Sequence, residues 1–154
     1  GKKVYSFTAM ITGWNFSGAT EDAVGSAVTF QGTGPVSRTV QGKFASLTTS
    51  MTGDNNDITL VAKAAGTAGN DIKIKLVDPA SASASMSISV TNKVITVNLG
   101  TDATSDIVTT AAGLVIALNA NPDASGLVTA SLKSGETGDG IVTALTETAL
   151  TGGE

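Results

Sequence analysis

The chain has no cysteine and no histidine in 154 residues. Without cysteine there is no disulfide framework, no thiolate nucleophile and no structural zinc site of the usual kind. Without histidine, the commonest general acid–base group and transition-metal ligand is missing. Aromatic rings are scarce, at four Phe, one Trp and one Tyr, and charged residues make up 14%, well below the usual ~25%. The formal net charge is −4 and the nine Lys and Arg are scattered. That leaves no basic patch to neutralise a run of phosphates and argues against wrapping DNA. No apolar run approaches the ~18–20 residues of a membrane span, and "AAGLVIALNA" (111–120) is too short. The sequence opens at Gly1 with no initiator Met and no signal-peptide pattern, and so reads as a processed, truncated or partly read chain.

What is abundant is small. Apolar residues are 41% of the chain and there are 18 glycines, the rest being mostly Ala, Val, Thr and Ser. A core built from small and β-branched side chains suits packed sheets. A surface so poor in charge suits a subunit partly covered by its neighbours. Residues 4–12, "VYSFTAMIT", alternate with Tyr5, Phe7, Ala9 and Ile11 on one face, as a half-buried strand does. "SAVTFQGTG" (26–34) alternates again through Val28 and Phe30, and the two predict an antiparallel pair ending before Pro35, which cannot donate to a sheet ladder. Residues 37–56 carry mixed signals: "KFASL" fits a short strand and "TGDNND" a loop. A domain boundary is expected near residue 50, giving domains 1–49 and 50–154.

The second half is clearer. "DITLVAK" places Ile58, Leu60 and Ala62 on one face; "AAGTAGN" reads as a turn; "DIKIKLVDP" buries Ile72, Ile74 and Leu76 and stops at Pro79. "SMSISV" and "VITVNLG", separated by "TNK", predict a hairpin. The period then lengthens: Ile107, Ala111, Leu114 and Leu118 predict a helix with Thr104 or Ser105 as N-cap, Asp106 in its first turn and Pro122 closing it. "GLVTASL" and "IVTALTE" are two further strands. The fold class expected is mainly β: antiparallel sandwich or tube-type strands, then a small α+β domain with one helix packed on antiparallel strands.

Motifs for chemistry are weak. "GTGPVS" lacks the Lys-Ser/Thr ending of a phosphate loop and "QGTGPV" lacks the third glycine of a dinucleotide fingerprint; neither opens a helix, so a strand-ending turn is expected. The loop Asp54, Asn55, Asn56, Asp57 offers hard oxygens for calcium but not the spacing of an EF-hand, so turn formation is the expectation there. Asp102 and Asp106 are likewise read as turn and helix-start residues. Glu21-Asp22 and the Asp54/Asp57 pair lack the platform of a glycosidase, and Ser and Thr have no histidine to activate them. No catalytic, cofactor-binding or metal-ligating residue is therefore assigned, and the chain is not expected to be an enzyme. Trp14 and Phe16, bracketing Asn15 after a strand, read as core anchors or interface residues. With Phe30 and Gln31 they are the candidate subunit interface.

The stretch "FTAMITGWNFSGATEDAVGSAVTFQGTGPV" resembles the end of the tube-forming domain of major tail proteins of long-tailed bacteriophages. The matching letters are Phe7, Ile11, Ser17-Gly18, Glu21-Asp22-Ala23-Val24, Val28, Phe30 and Gln31-Gly32-Thr33-Gly34. "ITLVAKAAGTAGNDIKIKLVDP" is similar to a module of phage tail and other surface-displayed structural proteins. The resemblance implies a virion structural subunit that stacks as rings, usually hexameric, into a tube that DNA traverses without being specifically bound. Its partners would be its own copies and other tail proteins, with no membrane and no cofactor, and the C-terminal domain would decorate the outside. In the family the motif lies late in the tube domain, so its start at residue 4 implies that only the C-terminal part of that domain is present. The alternative expectation is a surface or tail-tip adhesin-like module recognising carbohydrate or a host protein, motivated by the Ser/Thr/Gly-rich second half and the acidic loop.

Overall fold

The computed structural model describes residues 42–154. The chain divides into two units, Gly1–Val40 and Gln41–Glu154, so the division falls nine residues before the one expected between 49 and 50. The reason lies in "KFASL": Phe44–Thr48 is strand β1, and it pairs antiparallel with β2, Ile58–Ala65. The strands expected at 4–12 and 26–34, and the interface candidates Trp14, Phe16, Phe30 and Gln31, lie outside the described residues.

The described unit is mainly β, with two sheets and few helices. The further strands are β3 Lys73–Val77, β4 Ser87–Thr91, β5 Val94–Asn98, β6 Val128–Leu132 and β7 Leu145–Ala149; the helices are α1 Ala111–Ala120 and α2 Pro122–Leu127. One sheet has the order β1-β2-β6 and the other β4-β5-β3-β7. Most pairs are antiparallel as expected, but β3 and β5 are parallel, so the second sheet is mixed. "AAGTAGN" tightens into a 3-10 turn, Thr67–Asp71.

Alternation sets which faces are buried. Ile58, Leu60 and Ala62 of β2, Ile74 and Leu76 of β3, and Ile95 and Val97 of β5 are buried, and meet Leu114 and Leu118 of α1 and Val128 of β6. Each fully buried aliphatic side chain contributes roughly 1.5–3 kcal/mol by removal from water. Among the described residues this core holds no aromatic ring; Phe44 is exposed. The hairpin β4–β5 turns on Asn92 and Lys93, with φ of 49° and 64°, the left-handed pair that a two-residue type I′ turn requires.

The helix differs from expectation at both ends. It begins at Ala111, and its N-cap is Thr110, whose hydroxyl accepts from the Gly113 N–H at 3.1 Å. Asp102 holds residues 102–106 in a turn instead, its Oδ1 accepting from the Thr104 N–H at 2.8 Å and the Asp106 N–H at 3.0 Å. A short carboxylate side chain that satisfies local N–H groups competes with helix formation. At the other end Pro122 starts α2 rather than closing the segment: it sits at the first helical position, where its missing N–H is no loss, and Asn121 caps that helix by accepting from Ala124.

The C-terminal residues tie the two sheets together. After β7, the Leu150 N–H bonds to the Ile72 carbonyl at 2.9 Å; Thr151 then exchanges two backbone hydrogen bonds with Ser46 of β1, and Glu154 two with Lys43. Asn70 adds a side-chain pair to the Gly153 backbone. The join is made by residues that follow β7 and not by β7 itself, so each sheet keeps its own order, with β6 and β4 at the ends away from the join.

Candidate functional site

The acidic loop is where the described unit concentrates polar side chains, and it is an internal fastener. Asp57 is 5% exposed. Its Oδ1 accepts from the Thr49 hydroxyl at 3.0 Å and the Met51 N–H at 2.7 Å, and its Oδ2 pairs with Lys133 Nζ at 2.8 Å. The Lys133 ammonium also reaches Glu136 at 3.2 Å, and the Glu136 carboxylate accepts the Asp57 N–H at 2.7 Å. Burial alone pushes the Asp57 carboxyl up, but the Lys133 ammonium, the Met51 N–H and the Thr49 hydroxyl outweigh it and hold it below its ordinary value. Hydrogen bonds to Asp57 and Glu136 raise Lys133 in turn.

Asn55 and Asn56 of the loop are engaged in the same way. Asn56 donates to the carbonyls of Thr52 at 2.8 Å and Ile141 at 3.0 Å. The Asn55 side-chain oxygen accepts from the Thr137 N–H, and its backbone oxygen from the Gly140 N–H. Segments 49–57 and 133–141 are thus laced together, and the Asp57 carboxylate and the Asn55 side-chain oxygen already serve protein donors. Among the described residues no group of three or more acidic side chains is placed to hold a metal ion, and no buried side-chain polar atom lacks a partner. Asp102, exposed on its turn, is held below its ordinary value by the Thr104 hydroxyl and the N–H groups of Asp106 and Thr104. Its role is the turn, as expected, while Asp106 does not reach a helix start.

Two surfaces remain that face outward without charge. Helix α1, "AAGLVIALNA", carries no ionisable residue on any face, and Ile116 is 69% exposed on it. The second surface is an edge. The β6 edge is closed: Asn119 of α1 donates to the Ala130 carbonyl at 2.9 Å and accepts its N–H at 3.0 Å, standing in for the strand that is not there, while α2 takes the Val128 N–H on the Ala124 carbonyl. The β4 edge, "SISVT", has no such backbone cover among the described residues. Nothing in the sequence singled out Asn119, Lys133 or Glu136; an asparagine that mimics a strand looks like any polar helix residue.

Among the described residues no helix is long and apolar enough to cross a membrane. Comparison with protein-family models, curated proteins and solved structures finds no match to this chain.

Proposed function

We propose that the chain is a structural subunit of a phage-type tail, built to assemble with its own copies and with other tail proteins in the virion. In this reading the segment ahead of the described unit, residues 1–40, belongs to the C-terminal part of a tube-forming β-sandwich domain. Rings of it, hexameric as in the resembling proteins, stack around a channel through which DNA passes unbound, and the following α+β unit is an appended domain. The observation that carries the reading is the run from Phe7 to Gly34 with its closing Phe30-Gln31-Gly32-Thr33-Gly34. The uncharged helix face and uncharged strand edge of the described unit support it, since such surfaces suit protein neighbours better than small polar ligands.

Electron microscopy of the purified full chain is the direct test. Rings or tubes with a helical repeat are expected; discrete monomers at every salt and protein concentration would overturn the reading. The alternative, a glycan- or host-binding module, is motivated by the Ser/Thr/Gly-rich second half and the acidic loop, where Asp57 is engaged with Lys133, Thr49 and the Met51 backbone and Asn56 with the Thr52 carbonyl. Calcium is accordingly expected to leave the thermal midpoint unchanged; a midpoint that climbs with calcium concentration would favour the alternative.

A further inference from the structure

The open edge of β4 has a definite hydrogen-bonding face. In the parallel pair β3–β5 the Lys73 N–H bonds to the Lys93 carbonyl at 3.0 Å and the Leu99 N–H to the Val77 carbonyl at 2.9 Å. That phase points the backbone groups of Ile95 and Val97 toward β3 and those of Val94, Thr96 and Asn98 toward β4. Their opposites in the unbroken β4–β5 register are Thr91, Ser89 and Ser87. The N–H and C=O groups of Ile88 and Val90 therefore point away from β5, and no described backbone group meets them.

An open edge of this kind templates further pairing, and proteins usually blunt it with lysine, proline, a bulge or a covering element. The other outer edge is blunted, by Asn119 and α2. Strand β4 has none of the usual sequence devices: it contains no charge and no proline, and its register has no bulge. Helix α2 passes close to β4 without offering its edge a backbone partner. Ser87, Ser89 and Thr91 are exposed on one face, and Ile88 and Val90 are half-buried on the other.

We propose that two copies of this chain join through β4, antiparallel and two-fold about Ser89, so that the four-stranded sheet continues as eight strands. In that register Ile88 lies opposite Val90 of the second copy, and all four outward groups of each strand are satisfied. Hydroxyl side chains meet hydroxyl side chains on the solvent face, and β-branched apolar side chains meet on the core face, pairs that stabilise antiparallel strands. No like charges come together: β4 itself carries none, and Lys93, in the turn, is already paired with Asp71. A self-complementary patch of this kind is the requirement of a two-fold contact. The inference goes beyond the tail reading, since it stands on β4 and its sheet alone.

The test uses the lack of cysteine in the chain. The two Ser89 residues face each other as a non-hydrogen-bonded pair, whose Cα separation suits a disulfide. The full-length Ser89→Cys variant is expected to form a covalent dimer under mild oxidation at least ~10-fold faster than Ser87→Cys, whose sulfurs would sit four residues out of register. Ser87→Cys mixed with Thr91→Cys should cross-link as the Ser89→Cys variant does. All three side chains are exposed, so the variants are expected to fold. If Ser89→Cys stays monomeric, or if all variants cross-link at one rate, the two-fold pairing is wrong, and the edge is either free or covered by a different segment or partner.

Discussion

Asp57 accepts hydrogen bonds from a hydroxyl, an amide and an ammonium where almost no solvent reaches it, so removing it leaves several donors unpaired at once. Asp57→Ala is expected to cost about 3 kcal/mol in urea denaturation of the full chain. Lys133→Met should cost clearly less on the same curves, because the ammonium is half in water. The pH dependence follows from the directions of the shifts. The carboxyl is held below its ordinary 3.8, so its contribution is present above that value and is lost as pH falls through the folded-state pKa. Lys133 is raised above 10.5, so its contribution is full below that and is lost as pH rises through its own folded value. The stability gap between wild type and Asp57→Asn should therefore be flat from about pH 5 to 9 and narrow below about pH 4. Gly140 guards the same region: a Cβ there would overlap the Asp54 carbonyl oxygen and the Asn55 backbone. Gly140→Ala must displace loop backbone, and a loss of about 3 kcal/mol or more is expected on the same urea curves.

At the scale of elements, caps and edges decide where each segment stops. Thr110→Ala removes the hydroxyl that accepts from Gly113, and a loss of about 1 kcal/mol is expected. Asn119→Leu strips both partners from Ala130; it should cost about 2 kcal/mol and convert a closed edge into a sticky one, seen as concentration-dependent light scattering. These elements also show what could be read in advance. The strands with period-two alternation, and the Ile58, Leu60, Ile74, Leu76, Ile95 and Val97 core they bury, were legible because alternation reports a half-buried sheet directly. The hairpin at Asn92-Lys93 was legible from its turn residues. The helix start was not, because Thr104 and Thr110 are both plausible caps and only the bonds of Asp102 to its own turn choose between them. The parallel β3–β5 pair, the Asn119 mimic and the Asp57–Lys133 link each join residues more than ten positions apart, or depend on direction of approach, and local patterning carries no such information.

For the described unit as a whole, the join made by residues 151–154 is the feature on which both sheets depend. Deleting those four residues removes the backbone pairing to Ser46 and Lys43 and the Asn70 link. A fall in thermal midpoint of about 5–10 °C is expected by circular dichroism, the suitable probe because the unit holds no Trp or Tyr. The proposed β4 contact also carries a constraint of symmetry. A polar tube has no two-fold axes across its length, so in a tail the contact would pair units from different subunits and leave the ring symmetry to the remainder of the chain.

That same join has a kinetic meaning. Strand β1 is bordered by residues about a hundred positions later, and β3 lies between β5 and a strand some seventy positions away. Such distant pairings form slowly, because loop closure must precede any reward for contact. During synthesis only the local pairs β1–β2 and β4–β5 have partners at hand, and a nascent chain halted before β7 is expected to remain protease-sensitive. The join between the two sheets cannot close until residues 151–154 have cleared the ribosomal exit tunnel, and completion of folding is expected only after that.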